Sequence, residues 1–175
     1  MKRMKKVCAM LCAVLSVLFL ASAFAGEDNF VRWERIVGVI TALNVDNPVG
    51  NIHSGTFAWT TRSGLARVDL TTGRVLWEVD GLVINGAVFS GTPGPITAVR
   101  GTLVCNPGPT QTVFDTGARS LNVHGDAQFS GHLNGIPTNG CGNPIFLIRI
   151  AAPGGAAGRW IATGADRSIV DESIP

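Results

Sequence analysis

The chain has 175 residues, 14 Lys and Arg against 12 Asp and Glu, and a formal net charge of +2. Four of its cations, Lys2, Arg3, Lys5 and Lys6, sit at the extreme N-terminus; without them 10 arginines face 12 carboxylates, a net −2. That balance leaves no basic footprint for a phosphate backbone and argues against a nucleic-acid partner.

Residues 1–25 read as a secretory signal. The four cations form a basic n-region, Val7 to Leu20 is an apolar h-region, and Ala23-Phe24-Ala25 is an A-x-A cleavage site before polar Gly26-Glu27-Asp28. A retained anchor is the alternative, since the apolar run approaches bilayer length. Cys8 and Cys12 lie in this segment, and neither follows the Leu-small-small pattern of a lipoprotein signal. Cleavage leaves 150 residues, which suits one domain with one core and no membrane span. The expectation is an exported protein, periplasmic or extracellular. It divides into the signal (1–25), one domain (26–165) and a polar C-terminal tail (166–175).

The mature chain has no Lys and no Tyr. The first absence excludes Schiff-base chemistry and a Walker lysine. The second argues against an outer-membrane barrel with aromatic girdles. Only Cys105 and Cys141 survive cleavage. In an oxidising compartment they are expected to pair, closing a loop of 35 intervening residues worth roughly 3–4 kcal/mol.

Glycine and proline punctuate the chain every few residues, and no segment keeps helical periodicity for three turns. The apolar runs are short and rich in Val, Ile, Thr and Phe, the pattern of an all-β domain. Arg35 to Leu43 predicts a central first strand, Asn44 to Gly55 a loop, and Phe57 to Thr61 a short strand. Leu65 to Leu70 and Arg74 to Val79 predict a hairpin across Thr71-Thr72-Gly73, with Ala66, Val68 and Leu70 facing Val75, Trp77 and Val79. Asp80-Gly81 is a turn into a strand over Leu82 to Phe89, interrupted at Asn85-Gly86. Ile96 to Cys105 predicts a long strand with a bulge at Gly101. Thr112 to Asp115 and Ala118 to Leu133 follow, then Pro144 to Ile150 and a last strand over Arg159 to Thr163. Phe-Ser-Gly occurs at 89–91 and again at 129–131, which reads as two equivalent strand ends. Turn signals at about ten-residue spacing predict a single antiparallel β-sandwich or closed β-barrel of short strands.

The candidate binding face lies within 118–133. On one strand His124, Asp126, Gln128, Ser130 and His132 would share a side, alternating with Val123, Ala127, Phe129 and Leu133. Alternation alone predicts a solvated face; a ligand face or a metal site is the sharper reading. His124 and Asp126 set an imidazole beside a carboxylate. His132, however, would lie roughly 26 Å from His124 at about 3.3 Å per residue. A third ligand would have to come from elsewhere, and His53 is the spare histidine. No metal, cofactor or catalytic residue is assigned. Gly-x-Ser-x-Gly, HExxH, the P-loop and the dinucleotide fingerprint are all missing. Glu78 and Asp80 share a strand face, but beside a turn they read as solvated carboxylates rather than a glycosidase pair. Trp77 belongs to the core, while Trp33, Trp59 and Trp160 could stack on sugars if exposed.

Ser120-Leu121-Asn122-Val123-His124 resembles a stretch in bacterial copies of the chordin-type repeat domain. The early histidine-rich segment of that family is missing here, and no function is carried over. The sequence thus leads to an exported, non-enzymatic β-domain with a binding or structural role. Its partner would be a small molecule, a glycan or a protein. Two alternatives remain: a ligand-binding or enzymatic barrel using His124, Asp126, Gln128 and Ser130, and a carbohydrate-binding module using exposed tryptophans.

Overall fold

The computed structural model describes residues 30–86, 88–138, 140–152 and 155–170. The expected signal segment and its cleavage site lie outside these residues. Eleven strands and no helix make up the described chain. They are β1 (Phe30–Gly38), β2 (Trp59–Thr60), β3 (Ser63–Asp69), β4 (Arg74–Asp80), β5 (Val83–Ile84) and β6 (Ala98–Cys105), followed by β7 (Thr112–Asp115), β8 (Arg119–Ser120), β9 (Ala127–His132), β10 (Ile145–Ala151) and β11 (Ala157–Val170).

Nine of them form one antiparallel sheet in the order β7-β6-β10-β11-β1-β3-β4-β9, with β8 also paired to β6. β2 and β5 form a separate two-stranded piece. The large sheet curls into a half-barrel. At one point its two ends touch: Asn134 N, just past β9, donates to Asp115 O at the end of β7 (2.8 Å), and Asp115 N donates to Asn134 Oδ1 (2.9 Å).

The curl encloses one core. Trp33, Trp77, Phe146, Leu103, Ile148 and Ile36 are buried in it. Trp33 packs against Phe146 at 5.6 Å between ring centres, and Trp77 stacks on Phe129 at 6.3 Å. The β3–β4 hairpin forms as its alternation predicts: Ala66, Val68, Val75, Trp77 and Val79 are buried, while Arg74, Leu76 and Glu78 are exposed. Opposite the hairpin, Cys105 at the end of β6 is bonded to Cys141, with 4.7 Å between their Cα atoms.

Several expectations are corrected. The first strand is Phe30–Gly38, earlier than read; Ile40 and Leu43 find no partner strand and stand exposed. Gly101 is no bulge, since β6 pairs with β10 in unbroken register there. Its role is close packing: a Cβ at Gly101 would sit 2.5 Å from Trp77 Nε1 and 2.6 Å from the Phe146 ring. The interruption expected at Asn85-Gly86 is a turn rather than a bulge: the chain reverses at Gly86 (φ 82°), Ile84 bonds back to Thr92 and Gly91, and only β5 remains of the strand read over 82–89. The two Phe-Ser-Gly copies are therefore not equivalent: one lies in that loop and the other in β9. The last strand begins at Ala157 and does not stop at Thr163. It runs to Val170, pairing with β1 down to Phe30↔Val170, so residues 166–170 are sheet rather than tail.

Candidate functional site

The segment 118–133 is not one strand. Asn122 breaks it by folding its side chain onto the backbone ahead. Its Oδ1 accepts from His124 N (2.8 Å) and Asp126 N (2.9 Å), while Asn122 O accepts from Gly125 N (3.0 Å). This is the local side-chain capping that makes Asn a turn former. Gly125 takes a positive φ of 82°, and a Cβ there would lie 2.4 Å from Leu82 O. The turn docks on the Asp80-Gly81-Leu82 corner: Leu82 N donates to Gly125 O (2.8 Å) and Gly81 N to Asp126 Oδ1 (2.9 Å). The Gly81 amide, and then the Asn122 amide, hold the Asp126 carboxyl below its ordinary pKa, with Arg62 3.6 Å away.

Of the five residues expected to share one face, Gln128, Ser130 and His132 do so on β9, while His124 and Asp126 lie outside the strand. His124 is exposed in the turn, away from any strand. Gln128 and Ser130 lie on the outer face of β9, paired across from Glu78 and Leu76 of β4. Asp126 joins Gln128 in an open groove of about 510 Å³. That groove follows the seam where β9, the last strand of the curled sheet, faces β8 without pairing to it. Glu78, Asp80, Arg119 and Asn122 also line it. Glu78 and Asp80, read as merely solvated, become groove walls because the 122–126 turn is brought against them. Arg119 spans the seam, its guanidinium 4.7 Å above the Phe129 ring. Among the described residues no group of three or more His, Cys, Asp or Glu could hold a metal ion.

The tryptophans offer no sugar platform. Trp33, Trp59 and Trp160 are buried like Trp77, and Trp160 Nε1 donates to Asn47 O (3.0 Å). The exposed-tryptophan reading therefore loses its premise.

A second polar cluster escaped sequence reasoning. In the loop between β1 and β2, His53 Nδ1 pairs closely with Asp46 Oδ2. Asp46 Oδ1 also accepts from Ser54 N (2.9 Å) and the Ser54 hydroxyl (3.3 Å), and Arg159 lies 3.8 Å away. The His53 hydrogen bond is the main cause that lowers the Asp46 pKa. Ser54 turns to the carboxylate rather than to the imidazole, so the cluster is a loop staple and not a Ser-His-Asp relay. Its sequence signal was only an aspartate and a histidine flanking Asn-Pro and Gly-Asn breakers.

Compared with known proteins, the chain matches no family model, no curated protein and no solved structure.

Proposed function

We propose that the chain is an exported, non-enzymatic binding protein whose ligand sits in the groove between β8 and β9. The observation that carries this reading is the convergence of Glu78, Asp80, Asp126, Arg119, Asn122 and Gln128 around one opening. Three carboxylates outnumber the guanidinium of Arg119 and that of Arg62, 3.6 Å from Asp126, and this balance favours a small organic cation with several N–H donors. The rim is organised in advance, since Gly81, Asn122 and Asp126 are already hydrogen-bonded to one another. Binding then pays little to order the loop. Export to the periplasm or the medium is supported by the Cys105–Cys141 bond, because disulfides persist in oxidising compartments. The half-barrel is read further as a nearly closed barrel, on the strength of the Asn134–Asp115 hydrogen bonds.

The test is an NMR titration of the ¹⁵N-labelled mature protein with spermidine and, separately, with maltotriose. Spermidine is expected to shift the amides of Asn122, Asp126 and Gln128 saturably. The Glu78→Gln variant should weaken that binding by about tenfold, the loss of one charge-assisted contact. Groove amides that ignore spermidine would overturn the cationic reading, and saturable shifts with maltotriose would replace it with a glycan.

A further inference from the structure

The groove does not end at Gln128. Its walls Glu78, Arg119 and Gln128 also line a second hollow of about 370 Å³, which continues over Leu76 and Ser130. Leu76 and Ser130 in turn line a third, of about 320 Å³, which reaches Arg67 and Arg74. The shared residues stand in adjoining rows of the sheet. Glu78 pairs with Gln128 and Leu76 with Ser130 across β4 and β9, and Arg67 pairs with Leu76 across β3 and β4. Alternation puts them on the outer face, and all five are exposed. The three hollows therefore make one open track along β4 and β9.

The ends of the track carry opposite charge. Glu78, Asp80 and Asp126 stand at one end. At the other, the lining holds two guanidiniums and no carboxylate. The Arg67 guanidinium is held over the Phe30 ring, 4.1 Å from its centre. Asp69 lies across the hairpin turn from Arg74, but its oxygens are committed to that turn. Oδ1 accepts from Thr71 N (2.8 Å) and Thr72 N (3.1 Å), and Oδ2 pairs closely with the Thr72 hydroxyl. Glu34 is likewise paired with Arg32, at 3.0 Å. From Arg74 to Asp80 the track follows the whole of β4, roughly 20 Å at about 3.3 Å per residue. An extended peptide of about six residues has that reach.

We propose that the track takes a short peptide with free ends, its ammonium among Glu78, Asp80 and Asp126 and its terminal carboxylate on Arg67 and Arg74. This rests on the groove reading, because the ammonium is the organic cation assigned there and brings three N–H donors. Arginine suits the other end, since the guanidinium fork offers parallel N–H bonds to both carboxylate oxygens. Between the ends Gln128 and the Ser130 hydroxyl can meet peptide carbonyls and amides, and exposed Leu76 gives an apolar contact. The opposed charges also set direction, since a reversed peptide would place like charge on like at both ends.

The test is an NMR titration of the ¹⁵N-labelled mature protein with a six-residue alanine-serine peptide in three forms: free at both ends, amidated at its C-terminus, and acetylated at its N-terminus. The free form is expected to shift the amides of Asp126 at one end and of Arg74 and Gly131 at the other, saturably and together. Amidation should weaken binding by about tenfold, the loss of one charge-assisted contact, and acetylation by as much. The gap between free and amidated forms should close when Arg67→Gln and Arg74→Gln are combined; both positions are exposed. Equal affinity for the free and amidated forms, a gap that persists in the double variant, or shifts confined to the Asp126 end would overturn the peptide. Saturable spermidine binding would in that case leave the groove reading standing. Groove amides that ignore spermidine as well would overturn both.

Discussion

On β4 and β9 the outward residues Leu76, Glu78, Gln128 and Ser130 are exposed, whereas on β6 and β10 the outward residues Thr102, Val104 and Leu147 are fully buried. Both halves belong to one sheet and both alternate. They differ in what lies over them. The loop between β1 and β2 is held at Trp160 of β11 through Asn47 O, and just ahead of β7 through the hydrogen bond from Asn51 N to Gln111 Oε1 (3.2 Å). It thereby straps the outside of the β6–β10 half, while among the described residues no such loop is held over the β4–β9 half. Period-two alternation says which residues share a face, but not whether that face is wet. A strapped face can be apolar, and a charge placed on it must find partners, as Arg100 of β6 and Arg149 of β10 do beside Asp115.

This contrast can be tested by breaking each half. The largest effect is expected from Cys105→Ser, which opens the staple at the end of the strapped half. Under non-reducing conditions it should lose about 3–4 kcal/mol in denaturant unfolding. An unchanged midpoint, or two titratable thiols in the native protein, would show that the bond contributes nothing. Next comes a matched pair of outward leucines. Leu147→Ala should cost about 3 kcal/mol, because it empties a strapped, fully buried position. Leu76→Ala should cost less than about 0.5 kcal/mol on the open face. Equal losses would mean that the strap does not hold in solution.

The smallest effect concerns acid. The Asp126 pKa is lowered chiefly by the Gly81 amide, so the carboxylate contributes stability above its unfolded value and loses it as pH falls through the folded one. Protection of the Gly81 and Leu82 amides from hydrogen exchange should therefore drop below about pH 4. Asp126→Asn should remove that pH dependence. Protection that is flat with pH in the wild type would show that Asp126 does not anchor the turn.

The β3–β4 hairpin was legible except beside its turn: one face is buried and the other wet, but Asp69, on the wet side by alternation, is buried because its carboxylate folds onto Thr71 and Thr72. The disulfide was legible through the expectation of export, which leaves Cys105 and Cys141 as the pair that could bond. The segment 118–133 was not legible as it folds. His124 to His132 keep a strand-like alternation on paper, yet the Asn122 side chain and the positive φ of Gly125 turn the chain over. A short polar side chain competing for backbone hydrogen bonds leaves no mark on hydrophobic periodicity. Residues 166–170 were set aside for their polarity, but β1 offers them a ladder, and pairing outweighed composition. Glu78, Asp80 and Arg119 were visible as types but not as neighbours, since they come from three separate stretches joined at the seam.

The sequence by itself determined the all-β class, the hairpin, the disulfide pair and the absence of the common catalytic motifs. These follow from local properties: side-chain period, turn chemistry and residue count. Only the tertiary structure decided that the sheet curls until β9 faces β8, that all four tryptophans are buried, and that one outer face is strapped while the other is open. Those outcomes depend on which distant segments meet, and a chain's own alternation carries no information about the segment that will come to lie over it.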